Sequence, residues 1–216
     1  MKRVQKWLPL CWMILIPIFN LFYLLLNNDN RGVNSLVTDL DHMIPFVKGF
    51  IIPYLGWYAF IFLTLCYFFV KEPRLYYKTL ISLLIGLCVC YVVYFFFQTT
   101  VQRPSLSEGD WLSRLVMFVY SIDQPYNCFP SIHCFTSFLM MSAINSSAIK
   151  NKYNLITING SGSLIILSTL LVKQHVVLDA LSAVLLAHIV FAVNSYVERR
   201  LVIQWKKRRS LSWTMK

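Results

Sequence analysis

Six apolar blocks divide the sequence, and each has the length of a membrane-crossing helix. At 1.5 Å per helical residue, about 20 residues cross a bilayer core of roughly 30 Å. Hydrophobic residues make up 57% of the chain and charged residues only 13%, whereas charged residues are ~25% of an ordinary soluble domain. Six transmembrane helices are therefore predicted, at residues 7–26, 51–70, 79–98, 132–149, 155–172 and 176–197.

This pattern predicts an all-α, polytopic membrane protein with a single membrane domain over residues 1–216. The first block follows Lys2, Arg3 and Lys6 and therefore has the outline of a signal peptide. It is long, however, and the polar residues 27–30 after it offer no small-residue cleavage site. We expect it to be retained as a helix.

The net charge of +11 is divided unequally between the two sides of the membrane. Six spans place both termini on one side, and that side holds 15 of the 20 Lys and Arg residues, while the other holds seven of the nine acids. The positive-inside rule then assigns the termini to the cytoplasm, so the basic excess indicates topology and not nucleic-acid binding. The predicted cytoplasmic tail, residues 198–216, carries a basic run at 206–209 that lies either against anionic headgroups or in solvent.

Two longer polar stretches face outward in this topology, at residues 27–50 and 99–131. Long loops in a compact domain are usually functional. The second outer loop carries Arg103 followed by Pro104, and then an amphipathic piece over residues 111–119 that could lie along the membrane interface.

The six cysteines predict neither a disulfide framework nor a zinc cluster. Four of them fall inside apolar blocks, where thiols behave as small hydrophobes. Cys128 and Cys134 lie near the outer surface, but no paired spacing supports a bridge between them.

The sixth block contains an ionisable residue near its outer end. A charged side chain in a bilayer costs ~3 kcal/mol or more, so Asp179 is a functional candidate by default. It lies four residues after His175, and this spacing puts both side chains on one helix face, where they can hydrogen-bond. A buried Asp would orient His175 and make its free nitrogen a better nucleophile or base. A purely structural pair fits the same spacing.

A second histidine opens the fourth block, in the run Phe129-Pro130-Ser131-Ile132-His133. Pro and Ser are capping residues at a helix start, but the free N–H groups and positive dipole end of a helix also suit a phosphate. His133 in that first turn could protonate a leaving oxygen. Arg103, at the outer end of the third block, could donate two parallel hydrogen bonds to phosphate oxygens.

Together, these residues resemble the motifs of a known superfamily. The type 2 phosphatidic acid phosphatases have three motifs, Lys-x6-Arg-Pro, Pro-Ser-Gly-His and Ser-Arg-x5-His-x3-Asp. The chain matches them with Arg103-Pro104, Pro130-Ser131-x-His133 and His175-x-x-x-Asp179, and Ser168 stands seven residues before His175 as the third motif requires. The resemblance covers roughly residues 41–197 and implies a phosphatidic acid phosphatase-like helical bundle.

Three positions depart from these motifs. Phe96 stands where the first motif has Lys, Thr169 where the third has Arg, and Ile132 where the second has Gly. Two phosphate-binding cations are therefore absent from their usual places. Lys173 could supply one of them.

Other residues are similar to the inositolphosphotransferase-like branch of the superfamily. They are residues 126–133, Lys173-Gln174-His175 and Asp41-x-x-x-Pro45-Phe46. That branch includes phosphosphingolipid synthases, which hand a phosphorylated headgroup to a lipid alcohol instead of to water.

The resemblance implies a mechanism in which His175 attacks phosphorus to give a phosphohistidine. Asp179 would orient His175, and His133 would protonate the departing alkoxide. The phosphate oxygens would be held by three groups, Arg103, Lys173 and the helix start at Ser131. Such a site requires no metal and no other cofactor, because cationic side chains stabilise the developing charge.

We therefore expect a cell-membrane lipid phosphatase with an outward-facing site, whose substrate is a phospholipid or a polyprenyl phosphate. One alternative is a phosphosphingolipid- or inositolphosphotransferase-like enzyme that moves a phospho-headgroup to a lipid alcohol. A second alternative is a non-catalytic membrane protein that binds phospholipid in the same polar pocket.

Overall fold

The structure is a computed structural model that describes residues 7–106 and 109–214, with side chains up to Gln204 in the last helix. Eight α-helices lie in these ranges. Helices α1 to α8 cover Leu15–Leu26, Asp39–Met43, Ile51–Lys71, Pro73–Phe96, Trp111–Ile122, Ile132–Ser146, Lys152–Leu171 and Val177–Thr214. The remaining elements are two 3-10 helices, Leu8–Ile14 and Lys48–Phe50, and two parallel strands, β1 (Asn34–Ser35) and β2 (Thr99–Thr100).

The helices are long and apolar enough for a membrane protein. Five stretches of the described chain qualify as membrane spans: Leu8–Leu26, Lys48–Lys71, Pro73–Phe96, Lys152–Leu171 and Val177–Gln204. The remaining predicted span, the fourth, corresponds to α6, whose 15 residues measure about 22 Å along the axis, less than a bilayer core of roughly 30 Å. The all-α polytopic membrane fold is confirmed, and the number of six spans stays a prediction.

Several helix ends differ from the predicted boundaries for local reasons. Helix α4 begins at Pro73 and not at residue 79, because proline is favourable at the first helical position. Helix α6 ends at Ser146, because the backbone of the next residue, Ser147, is extended. Helix α8 runs on to Thr214, because no Gly or Pro interrupts residues 198–214 and the basic residues there are good helix formers.

Part of the charge prediction falls on residues beyond the described ones. Lys2, Arg3 and Lys6 lie outside the described residues, and so do the side chains of 206–209. The topology argument therefore stays a prediction from the sequence.

Helix α6 lies at the centre of the bundle and packs against α3, α4, α7 and α8. Its approach to α4 depends on Gly86, because a Cβ there would lie 1.8 Å from Cζ of the buried Phe135 ring. The segment before α6 is held to the same neighbour, since the Tyr94 hydroxyl donates to the Pro130 carbonyl at 2.6 Å. The start of α6 therefore has a fixed position in the bundle.

The two outer loops are joined to each other and to the last two helices. Lys48, at the end of the first loop, forms an ion pair with Asp110 of the second loop. Asp110 also caps α5, because its carboxylate accepts from the Ser113 N–H at 2.9 Å. The Val47 N–H donates to the Leu171 carbonyl at 2.8 Å, at the end of α7. The loops thus cover the turn that carries His175.

Candidate active site

Asp179 lies in the first turn of α8, whereas His175 lies two residues before the helix, and the two are buried, with 0% and 8% of their surfaces exposed. The prediction that both residues belong to one helix is therefore wrong for His175, because α8 begins only at Val177. Their Nδ1 and Oδ2 atoms are 3.4 Å apart, which is long for a hydrogen bond but common in catalytic pairs without substrate. Asp179 Oδ2 also accepts from the Val176 N–H at 2.9 Å, and this contact fixes the carboxylate against the turn. The predicted pair is therefore brought together, and Nε2 of His175 points away from its carboxylate partner.

His133 lies in the first turn of α6, between two aromatic side chains of α3. Its ring centroid is 4.5 Å from that of Tyr54 and 4.3 Å from that of Trp57. The Trp57 indole N–H donates to Thr136 Oγ1 at 2.7 Å, so the indole is fixed to the same helix turn as His133. The ring centroids of His133 and His175 are 5.9 Å apart, so the two imidazoles are neighbours.

Ser131 is fully buried and caps α6. Its hydroxyl accepts from the Cys134 N–H at 3.2 Å, and its own N–H donates to the Asp179 carbonyl at 3.2 Å. The hydroxyl thus forms the helix cap. The first N–H groups of an α-helix have no partner within the helix, so the α6 start keeps its capacity to bind an anion.

Arg103 is held by neutral acceptors. Its guanidinium donates to the Tyr120 carbonyl at 3.0 Å, to the Asp123 carbonyl at 2.7 Å and to the Gln174 amide oxygen, and it lies over the Tyr120 ring at 4.4 Å. These bonds use three of its five N–H donors, and Nε is buried without a partner among the described residues. Because none of these acceptors is a carboxylate, the positive charge of Arg103 is not neutralised by an ion pair within the described residues.

Lys173 is connected to the first outer loop. Its ammonium donates to the carbonyls of Asp41 at 2.9 Å and Ile44 at 2.6 Å, from a backbone with φ of 53°. The Asp41 carboxylate in turn accepts from the Val177 N–H at 2.7 Å and from Thr38. Burial raises the pKa of Asp41, but these hydrogen bonds outweigh it and hold the pKa below its ordinary value. Lys173 therefore anchors the loop beside His175, and only one of its three donors is left for a ligand.

His175 lines two cavities. The first has a volume of about 300 Å³ and is polar, with Arg103, Lys173 and Asp41 in its wall. The second has a volume of about 250 Å³ and contains His133 and Asp123. Because His175 borders both, its imidazole is accessible from two directions.

The second cavity continues toward the apolar part of the bundle. Asn20, Trp57, Tyr58 and Ile132 line both this cavity and an apolar cavity of about 420 Å³ between α1, α3 and α4. A methylene group occupies about the volume of a water molecule, ~30 Å³, so this space suits one hydrocarbon chain.

Gln174 is a functional candidate that the sequence did not single out. Its side chain is 3% exposed, its amide oxygen accepts from Arg103, and its Nε2 is buried without a partner among the described residues. A buried amide N–H without an acceptor costs free energy, so Gln174 is ready to donate to a ligand. The sequence signal that could have identified Gln174 is its position directly before His175.

Asp123 contacts Arg103 through its main-chain carbonyl. Its carboxylate faces the second cavity and accepts from three donors, the Tyr23 hydroxyl at 2.6 Å, Asn27 Nδ2 at 3.1 Å and the Tyr54 hydroxyl at 3.3 Å. Tyr54 thus connects Asp123 to the ring of His133.

No protein-family model matches the sequence, and no curated protein sequence matches it. The structure is similar to the crystal structure of Aquifex aeolicus LpxE, with a TM-score of 0.51 and 16% sequence identity. The similarity covers 84% of this chain and 94% of that chain. At this identity, the likeness is one of fold.

Proposed function

We propose that the protein is a membrane lipid phosphatase of the type 2 phosphatidic acid phosphatase kind, which cleaves a lipid phosphate or pyrophosphate through a phosphohistidine. The observation that carries the proposal is the buried His175–Asp179 pair, with the ring centroid of a second histidine 5.9 Å from that of His175 and an arginine that forms no ion pair within the described residues. The fold that the chain shares with Aquifex aeolicus LpxE supports the all-α membrane architecture that this proposal needs.

In the first step, Nε2 of His175 attacks phosphorus and the bond from phosphorus to the lipid oxygen breaks. Asp179 holds the proton on Nδ1 and stabilises the charge that the imidazole acquires. His133 gives a proton to the departing oxygen, so the lipid leaves as an alcohol or, from a pyrophosphate, as a lipid phosphate. The two rings have different tasks because only His175 has a carboxylate partner.

In the second step, water attacks the phosphohistidine. His133, now neutral, takes a proton from the attacking water, the bond from phosphorus to nitrogen breaks, and inorganic phosphate forms. Both histidines return to their starting protonation states.

Arg103, Gln174 and the start of α6 supply the donors for the phosphate oxygens. Arg103 supplies the cation of the first motif, and the N–H of Gln174 that has no partner among the described residues adds a neutral donor where Phe96 and Thr169 leave two motif cations absent. Lys173 contributes charge from the loop, although two of its donors bind carbonyl oxygens. Preorganised donors of this kind stabilise the negative charge of the transition state.

The shapes of the cavities favour hydrolysis over transfer to a lipid alcohol. The apolar cavity between α1, α3 and α4 has room for the hydrocarbon chain of the substrate. The cavity on the other side of His175 has the charged side chains of Arg103, Lys173 and Asp41 in its wall, which suits water as the acceptor.

We also propose that the site faces outward and that both termini are cytoplasmic. The support is the distribution of Lys and Arg, 15 of 20 on the terminal side of the predicted topology.

The test is release of inorganic phosphate by the purified protein in detergent. The substrates are phosphatidate, phosphatidylglycerophosphate and a polyprenyl pyrophosphate, offered without any added alcohol. The matched variants are His175→Ala and His188→Ala, because His188 is an exposed histidine of α8 outside the site.

We expect phosphate release from at least one substrate by the wild type and His188→Ala, and none by His175→Ala. Product that forms only when a lipid alcohol is added would favour the transferase alternative. Lipid binding without any turnover would favour the non-catalytic alternative.

A further inference from the structure

Cys128 lies in the site but has no part in the mechanism above. It precedes the α6 start, and its thiol is 3% exposed. One donor atom each from Cys128, His175 and Asp179 lies within 4.8 Å of the other two. All three side chains are buried, so the fold brings a thiol, an imidazole and a carboxylate together in the interior of the protein.

Asp179 provides an independent sign that this place accepts a ligand. Its Oδ2 atom interacts with both the Val176 N–H and His175, whereas its Oδ1 atom is buried without a hydrogen-bond partner among the described residues. Leaving a buried carboxylate oxygen without a donor or a cation is costly. A cation at this position would satisfy it.

The donor set selects the kind of cation. A thiolate, an imidazole nitrogen and a carboxylate oxygen are the ligands of zinc, whose sites often have three protein ligands and one open position. Mg²⁺ and Ca²⁺ prefer oxygen ligands and do not bind thiolates well. A divalent ion bound to one thiolate and one carboxylate is also electrically neutral overall, which limits the cost of burying it.

We propose that Cys128, His175 and Asp179 bind a zinc-type divalent cation, and that occupation of this site prevents His175 from attacking phosphorus. On binding, Cys128 releases one proton and its thiolate coordinates the metal, while His175 gives a ring-nitrogen lone pair to the metal. Coordination through Nε2 occupies the attacking atom, and coordination through Nδ1 replaces the contact with Asp179. The inhibitory half rests on the proposed function, whereas the binding half does not.

The route to the cluster is through His175, which lines both the polar cavity and the cavity that contains His133. A cation that enters from either cavity meets the imidazole first. Bound there, it competes with the phosphate group of the substrate for the same space, so the inhibition is expected to weaken as substrate concentration rises.

The binding test uses Co²⁺, which replaces zinc and gives a near-ultraviolet charge-transfer band when a thiolate coordinates it. The protein is purified in detergent without a histidine tag and titrated with Co²⁺, and then Zn²⁺ is added to displace it. Cys128→Ser and Cys128→Ala remove the thiolate, and Cys90→Ala removes a buried thiol of α4 that is outside the cluster.

We expect the band in the wild type and in Cys90→Ala, its loss on addition of Zn²⁺, and its absence from both Cys128 variants. No thiolate band in the wild type, or an unchanged band in Cys128→Ala, would overturn the site. Absence of the band from the wild type overturns the site even if a Cys128 variant does not fold, and this measurement needs no substrate.

The inhibition test measures phosphate release with Zn²⁺ in each variant, relative to that variant's own rate after EDTA. We expect Zn²⁺ to inhibit the wild type reversibly, and the Cys128 variants to require at least ~10–100-fold more Zn²⁺, the usual loss when a supporting contact of a metal site is removed. Equal sensitivity of the wild type and Cys128→Ala would overturn the inhibitory role. If no variant releases phosphate under any condition, the proposed function fails, and the Co²⁺ spectrum still tests the site.

Discussion

The two histidines of the site are close together, but they are held in different ways. His175 is buried beside the Asp179 carboxylate and lies in the turn that leads into α8, the helix of Asp179. His133 is packed between the aromatic rings of Tyr54 and Trp57, which come from another helix. Within the described residues, the His133 ring has no carboxylate partner.

This difference teaches how one site can give two imidazoles separate tasks. A carboxylate fixes the tautomer of His175 and stabilises the positive charge that a phosphohistidine carries. An aromatic enclosure fixes the position of His133 but does little to stabilise charge, which suits a group that passes a proton quickly. If the comparison is correct, substitutions around His175 will affect formation of the phosphohistidine, and substitutions around His133 will affect proton transfer to the leaving group.

The largest effect is expected from replacing His175. His175→Ala removes the atom that forms the covalent bond, so no acid-labile phosphoenzyme should form from radiolabelled substrate. Rapid quenching, followed by acid and base treatment of the labelled protein, measures the amount of phosphoenzyme and its acid lability. The control is His188→Ala, which should label like the wild type. Labelling of His175→Ala at the wild-type level would give the nucleophile's role to another residue.

Asp179→Asn is expected to lower kcat by up to ~10⁴-fold with little change in substrate binding. One oxygen, Oδ2, faces both the Val176 N–H and Nδ1 of His175, so the asparagine oxygen can keep both contacts but carries no negative charge. The positive charge of the phosphohistidine is then no longer stabilised by a carboxylate. Binding of a non-hydrolysable lipid phosphonate separates the two quantities. A matched loss of binding and rate would indicate that Asp179 only supports the fold.

His133→Ala is expected to slow turnover by ~10²–10⁴-fold, the usual contribution of a general acid. The loss should shrink for substrates with good leaving groups, such as aryl phosphates, because they need no proton. His175→Ala should show no such rescue. The measurement is a series of leaving groups with rising pKa assayed with both variants, and an equal loss across the series would remove His133 from the proton-transfer role.

The sequence predicted those parts of the site that depend on short-range spacing. His133 follows its helix cap by two residues, so helix geometry places it in the first turn of α6. His175 and Asp179 are four residues apart and do come together, although His175 lies before α8 and the contact is made across the turn that leads into the helix. The three side chains meet at one end of the bundle, as the order of the spans predicts. The fold class was predictable for the same reason, since apolar blocks of span length leave few alternatives.

The parts that were not predicted depend on contacts between distant residues. Trp57 is 79 residues from its partner Thr136, and Gln174 is 71 residues from Arg103. Lys173 was expected to hold phosphate, but its ammonium binds carbonyls of the first outer loop, 132 and 129 residues away. The proximity of Cys128 to His175 and Asp179 was likewise invisible in the cysteine spacing. Side-chain partners of this kind are set by packing, which no local pattern encodes.

Gln174→Ala is expected to lower kcat/KM by ~10–100-fold, because a hydrogen bond to a charged group contributes about 1.5–3 kcal/mol. The residue is on the His175 side of the site, so the loss should be the same for good and poor leaving groups. This equal loss would differ from the loss expected for His133→Ala, which depends on the leaving group. Gln124→Ala is the control, since Gln124 is exposed on the second outer loop. Normal kinetics for Gln174→Ala would show that its free N–H does not reach the phosphate.

Trp57→Phe is expected to have the smallest effect, a few-fold loss of kcat, because it removes one neutral hydrogen bond worth about 0.5–1.5 kcal/mol while keeping an aromatic ring beside His133. Without the bond to Thr136, the ring that packs on His133 is less fixed, and the imidazole spends less time in reach of the leaving oxygen. The defect should therefore follow the leaving-group pattern of His133 and disappear with aryl phosphates. The control is Trp111→Phe, which changes an exposed tryptophan of α5. A loss of equal size for every leaving group would mean that Trp57 supports the bundle as a whole, and the contrast between an aromatic and a carboxylate partner would then not explain the two roles.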